Sequence, residues 1–215
     1  MNALEMLTRA FSTGQHREPD DDDDAGATTA KRILDAARRR LELFGIQRTT
    51  MEDIARRSGV SRVTVYRHFP TKEALLEAVL LREVRRFLVE LGTLIETLDS
   101  DEDRIVEGYA FVVRTLREHK LLQRLLHGEP ELFLPQLTTE AGPMIAVARD
   151  LIVDYLVSHA PAKLSREEAA VAAEIGIRLT LSLVLTPETA IDLDDTEAVR
   201  RIVRRLPAWA IGNVG

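Results

Sequence analysis

Between residues 48 and 70 the chain reads RTTMEDIARRSGVSRVTVYRHFP, and Arg62, Thr64, Tyr66, Arg67 and His68 fall together on one short stretch with no carboxylate among them. Guanidinium, phenol, hydroxyl and imidazole groups are the ones that read base edges or grip phosphates. A helix presenting them can enter a DNA major groove, where each base pair displays its own pattern of donors and acceptors. The competing reading is an ordinary helical hairpin with a solvated basic face.

Other chemistries find little support. The histidines stand at positions 16, 68, 119, 127 and 159, and none of their spacings matches a helical zinc motif. There is no cysteine, so thiolate metal sites and disulfides are excluded. No serine sits in a nucleophile elbow and no glycine-rich phosphate loop occurs. The expectation is a chain with no catalytic residue, metal or cofactor.

The elements that must position the basic stretch follow from local signals. Thr50 suits the N-cap of a helix over Met51–Ser58, with Asp53 three residues on completing a capping box and Ile54 and Ala55 facing inward. Gly59 offers a cheap positive φ at the turn, and Val60 turns back toward the core. Ser61 caps the second helix, Val65 and Phe69 share its inner face, and Pro70 ends it. Upstream, periodicity starts at Thr29: Ile33, Ala37, Leu41 and Phe44 make a stripe, Lys31, Arg32, Arg38, Arg39 and Arg40 form basic surface, and Gly45 closes the helix. These elements predict a three-helix head.

Downstream the pattern stays helical, and the fold class is all-α. Thr71 caps a long helix reaching about Leu98, in which Gly92 is a place for a bend or a close approach. The acidic cluster Asp99–Asp103 separates it from a helix over Arg104–Glu118. Further helices are predicted over Lys120–His127, about Leu132–Gln136, Gly142–Ser158, Ser165–Leu185 with a Ser165–Glu168 capping box, and Asp195–Ile211. Pro161 and Pro187 fall in loops and Trp209 near the end. The organisation expected is an acidic extension over 1–28, a head over 29–75 and a second helical domain over 76–215. Residues 1–28 include the run Asp20 to Asp24, which reads as a mobile tail; the alternative is an internal competitor for the basic head.

Charge is divided along the chain. The total is −6 over 215 residues, yet residues 27–70 hold 10 basic and 4 acidic side chains, a net of +6. Residues 1–26 and 71–215 carry −5 and −7. An acidic body beside a basic head orients the head toward a polyanion. No apolar run is long enough to span a membrane and the first residues lack a secretory pattern, so a cytoplasmic protein is expected.

The segment TTMEDIARRSGVSRVTVYRHFPTKEALL, within Thr29–Leu81, resembles the DNA-binding domain of the TetR family of bacterial transcriptional regulators. The resemblance implies that Thr50 meets a phosphate at the start of the first motif helix. It implies that Ser61, Arg62, Val63, Thr64 and Arg67 lie on a recognition helix, with Tyr66 and His68 at backbone-contacting and head-packing positions. Lys72 matches a phosphate-approaching lysine and Phe69 a core aromatic. Chemistry agrees: Arg62 and Arg67 suit bidentate bonds to guanine, and Thr64 or Val63 suits a thymine methyl.

The same resemblance implies a C-terminal helical domain for ligand binding and dimerisation. Candidate lining residues are Phe87, Leu91, Tyr109, Val113, Leu116, Phe133, Met144 and Tyr155, although an apolar residue at helical spacing is more commonly plain core. Their apolar character suits a hydrophobic small-molecule effector. The helices Ser165–Leu185 and Asp195–Ile211 would form a homodimer interface, the small residues at the start of the former allowing close approach, and two heads suit a palindromic operator. The expected function is a repressor released from double-stranded DNA by its effector. The alternatives are a constitutive or architectural DNA binder without an effector, and a small-molecule carrier or enzyme.

Overall fold

A computed structural model describes residues 24–159, 164–186 and, between 188 and 201, all but 193, 194, 196 and 199. Among the described residues nine helices and no strand occur. They are α1 (Asp24–Phe44), α2 (Met51–Ser58), α3 (Arg62–His68), α4 (Lys72–Glu96), α5 (Asp101–Glu118), α6 (Lys120–Gly128), α7 (Pro130–Leu137), α8 (Gly142–His159) and α9 (Arg166–Leu185). The run before Asp24, Pro161, Pro187 and Trp209 lie outside the described residues. The helix predicted over Asp195–Ile211 is described only as far as Arg201, and Glu197, Ala198, Arg200 and Arg201 are helical.

α1 is helical from Asp24, the first described residue, so the start expected at Thr29 falls inside it. α5 opens at Asp101 rather than Arg104, with Ser100 as its N-cap. Its acidic residues also signal a loop, but the positive end of a helix dipole favours them in the first turn. Asp101, Glu102 and Asp103 occupy that turn in α5, and the Asp103 N–H donates to Ser100 Oγ at 3.0 Å.

The chain divides into two compact units: residues up to Arg86 with Lys120–Ala141, and Phe87–His119 with Gly142 onward. α4 contributes its first part to one and its second part to the other. In the first unit α2 packs on α1 and α3, and α6 packs on α1 and α7. The three helices α1–α3 thus share their compact unit with α6, α7 and the first part of α4. Ile33, Leu41, Ile54, Val65, Leu75 and Leu121 are almost fully buried there. Three short helices alone would bury little surface, and the apolar sides of α6 and α7 supply the remainder.

In the second unit α9 packs against α8 and α5. One cluster joins Val106, Ala110 and Val113 of α5 to Leu183 of α9. Another joins Val153 of α8 to Leu164, Ala169 and Ala173. The small residues at the start of α9 thus serve an approach within the chain. Of the bend or close approach read at Gly92, no close approach is found: an added Cβ there would meet nothing within 4 Å.

Candidate nucleic-acid interface

α2 and α3 are short, so their ends decide whether they form. Thr50 Oγ1 accepts the Asp53 N–H at 3.1 Å and its hydroxyl donates to the Asp53 carboxylate at 3.0 Å. The reciprocal half of a capping box is replaced by cations: Arg56 reaches Asp53 at 2.6 Å and Arg40 at 3.2 Å. The Thr50 hydrogen bond above all holds the Asp53 carboxyl below the usual aspartate range; burial, next in size, opposes it, and the charges of Arg40 and Arg56 add to the lowering. Gly59 closes α2 at φ 67°, its N–H donating to the Ala55 carbonyl. There a Cβ would be strained as well as 2.9 Å from the Arg32 guanidinium.

α3 begins at Ser61, whose Oγ accepts the Thr64 N–H at 3.1 Å and lies 2.8 Å from the Thr64 hydroxyl. Val65 turns fully inward. On the other side Val63 is 78% exposed, a bare apolar side chain at the start of a helix whose other outward groups are polar or amphipathic. Tyr66 is 38% exposed, and the Arg62 guanidinium sits 5.5 Å from its ring centroid. That stacking orders two long side chains on the outward face before any partner arrives. Arg67 is exposed. His68 is half-buried beside Phe69, with Nε2 enclosed and unpartnered.

The turn between α1 and α2 is held by polar bonds from three directions. Lys72 Nζ donates to the Ile46 carbonyl at 2.6 Å, using one of the three donors of its ammonium. Arg40 donates to the Arg48 carbonyl at 3.2 Å and covers the Phe44 ring at 3.7 Å. Glu129, 7% exposed between α6 and α7, accepts the Gln47 N–H at 2.9 Å. Gly45 turns at φ 75°, and a Cβ there would fall 2.5 Å from Glu129 Oε1. Arg32 reaches the Ser58 carbonyl at 2.7 Å, tying α1 to the end of α2.

Of the expected DNA-facing residues, Thr50 is the N-cap of α2, Ser61, Arg62, Val63, Thr64, Tyr66, Arg67 and His68 lie on α3 and its cap, and Lys72 begins α4. The basic surface assigned to α1 is smaller than expected, because long-range partners take part of it. Arg38 is paired with Glu42 and with the buried Glu83, each at 3.0 Å, and Arg40 with Asp53. Glu129 was missed because its contact spans 82 residues and leaves no local signal.

The proposed effector residues separate. Phe133 is buried in the first unit. Phe87, Leu91, Tyr109, Val113, Leu116, Met144 and Tyr155 belong to the second. Phe87 stacks on Phe111 with centroids 5.9 Å apart. Val113 is core, and Tyr109 packs beside it, its hydroxyl donating to the Gly176 carbonyl at 3.3 Å and pushed up in pKa by burial. Tyr155 stacks on His159 at 4.5 Å, and its enclosed hydroxyl has no partner among the described residues. Among those residues no group of three or more His, Cys, Asp or Glu could hold a metal ion, and no helix is long and apolar enough to cross a membrane.

Comparison with known proteins agrees with this geometry. Residues 33–79 match the family described as bacterial regulatory proteins, tetR family, and residues 102–205 match the bacterial tetracyclin repressor C-terminal domain. The HTH-type transcriptional regulator Mb2274c of Mycobacterium bovis is 35% identical over 104 residues, 48% of this chain and 52% of that one. The HTH-type transcriptional regulator YvkB of Bacillus subtilis is 30% identical over 130 residues, 60% and 66% of the two chains. The first of these matches spans about half the relative's length. Among solved structures, the TetR family repressor AlkX of Dietzia sp., implicated in biodegradation of n-alkanes, is 26% identical with a TM-score of 0.56, covering 84% of this chain and 96% of that one.

Proposed function

We propose that this chain, a member of the TetR family of bacterial regulatory proteins, is a DNA-binding repressor released from a palindromic operator by a hydrophobic small molecule. The observation that carries the reading is the outward face of α3, where Val63 is bare and Arg62 is stacked on Tyr66. An exposed apolar residue beside oriented guanidinium groups suits the floor of a major groove, with Val63 against a thymine methyl and Arg62 and Arg67 on guanine. Thr50, Tyr66 and Lys72 hold the sugar–phosphate backbone; Ser61, Thr64 and His68 complete the contact surface.

The effector half of the reading rests on the second unit. Phe87, Leu91, Tyr109, Val113, Leu116, Met144 and Tyr155 line the site in this proposal, and an apolar ligand fits their chemistry. Likeness to AlkX, a repressor implicated in biodegradation of n-alkanes, supports both repression and an apolar effector. A homodimer through α9 and the helix that begins near Asp195 supplies two heads, and the exposed Val171 on α9 with Ile152 and Val157 on α8 are apolar groups such an interface would cover. Ligand then favours a head spacing that no longer matches successive major grooves, carried through α4. The expected division is an acidic extension over 1–28, a head over 29–75 and an effector and dimerisation domain over 76–215.

Selection of bound sites from a random duplex library by the full-length protein tests the reading. Recovery of a palindrome, with a dimer by analytical ultracentrifugation, is the expected result; no sequence preference sinks it. On the recovered site, Arg67→Ala should weaken operator binding by about 1–3 kcal/mol while sparing random duplex. Tyr66→Ala should weaken both alike. A panel of alkanes, fatty acids and aromatic acids then identifies the effector class by operator release.

A further inference from the structure

The head carries a second concentration of positive charge away from the outward face of α3. A cleft of about 500 Å3 opens between α1 and the last turn of α2, lined by Arg32, Arg39, Arg56 and Arg57 with the Ser58–Gly59 turn. The carboxylate in its lining, Asp35, is bound by Arg82 at 2.8 Å. Arg56 is bound to Asp53, and Arg32 donates to the Ser58 carbonyl. Arg39 and Arg57 are exposed and, among the described residues, have neither a carboxylate nor a hydrogen-bond partner. Four guanidinium groups around one cleft repel one another, and the chain leaves two of them uncompensated. Such an arrangement awaits an anion.

The dimensions say which anion. Arg32 and Arg39 are seven residues apart on a helix, about 10 Å along its axis, which about three steps of one DNA strand would cover. The cleft is continuous with the reading element: Gly59 precedes Arg62 by three residues, so their Cα atoms lie within about 11 Å of each other. A helix seated in a major groove about 12 Å wide has a sugar–phosphate strand within that reach. Arg32 also clamps the turn to α1, so the cleft and α3 move together. We propose that this cleft is a second phosphate-binding station, in which Arg39 and Arg57 grip a backbone strand beside the groove that α3 reads. The proposal rests on α3 being the DNA-reading helix. It adds affinity without sequence preference, because phosphates carry none.

The test compares the full-length parent with R39Q/R57Q on the selected operator and on random-sequence duplex across a KCl series. Two lost phosphate contacts should make the slope of log K against log salt shallower by about 1.8 on both duplexes, with the ratio of the two affinities unchanged. R39K/R57K should restore the slope. R114Q/R166Q, an equal change of charge at exposed positions on α5 and α9, should leave it at the parent value. Should the double variant melt early by circular dichroism, R39Q and R57Q are read singly, each losing about 0.9. A parent that binds no duplex refutes the α3 reading itself. A parent that binds, with R39Q/R57Q at the parent slope or R114Q/R166Q sharing the loss, overturns the cleft alone.

Discussion

The unit built around α1–α3 and the unit built from α5, α8 and α9 are stabilised in different ways. In the first, Arg32, Arg40, Lys72 and Glu129 each bond a backbone group of another element, and the turns at Gly45 and Gly59 are held from more than one side. In the second, α9 lies on α8 and α5 through alanine, valine and leucine, with a few cross-links such as Tyr109 to the Gly176 carbonyl and Arg149 to Glu174. Hydrogen bonds are directional and fix geometry, whereas apolar packing tolerates rearrangement of similar volume. A surface that must match a duplex needs the former. A unit proposed to adapt to a ligand is better served by the latter.

The sharpest way to break this contrast is to remove the same side chain from both cores. Leu41 in α1 and Leu183 in α9 are both buried. Leucine to alanine costs about 2–5 kcal/mol, more where the surroundings cannot collapse. Leu41→Ala is expected near the upper end and Leu183→Ala near the lower, by urea unfolding followed by hydrogen exchange in each unit. Equal losses would mean that the polar bonds add no rigidity. Next in size, Glu129→Ala removes the charged acceptor of the Gln47 N–H, a bond worth about 1.5–3 kcal/mol. Glu129→Gln keeps an acceptor in place and should recover most of it. If both variants behave alike, the turn does not depend on that bond.

The comparison also marks what could be read from residue order. α2, the turn and α3 were legible because Thr50, Gly59, Ser61 and the pair Val65 and Phe69 act within a few residues of themselves. The start of α5 was misplaced because a carboxylate signals both loop and helix start, and only the helix dipole decides between them. The partners of Glu129, Arg38 and Lys72 were not legible, since they stand 26 or more residues away for Glu129 and Lys72 and on another helix for Arg38. In the second unit periodicity marked the apolar faces correctly. It could not say that Ala169 and Ala173 would meet α8 in the same chain.

A smaller effect, of the opposite sign, belongs to α4. Nothing approaches a Cβ at Gly92, so the glycine is there without a steric reason. Gly92→Ala should stabilise the helix by about 0.5–1 kcal/mol. A rise in melting temperature with unchanged operator affinity is the expected outcome. A loss of effector response with the same rise would instead show that α4 must flex at this position.

The smallest effect compares the two capped helix starts, one in each unit. Thr50 and Ser61 serve the head, while Ser165 opens α9 with a full reciprocal box, its N–H donating to Glu168 at 2.8 Å. Asp53 and Glu168 are both held below the usual carboxylate range, first of all by the cap hydroxyl. For Glu168 the next lowering cause is the Ser165 backbone N–H; for Asp53 burial opposes the cap, and the further lowering comes from the charges of Arg40 and Arg56. A carboxyl whose folded pKa is depressed contributes stability above its unfolded value, near 4, and that contribution fades as pH falls through the folded one. Both caps should therefore weaken on acidification below about pH 4. Only the Asp53 titration should move upward with added salt, because screening acts on charge pairs at the surface and much less on a hydrogen bond from a backbone N–H. Carboxyl chemical shifts followed by NMR through an acid titration at low and high KCl read this directly. Parallel movement of Asp53 and Glu168 would mean that the arginines around Asp53 are too mobile to act on it, and the polar cross-linking of the head would lose one of its members.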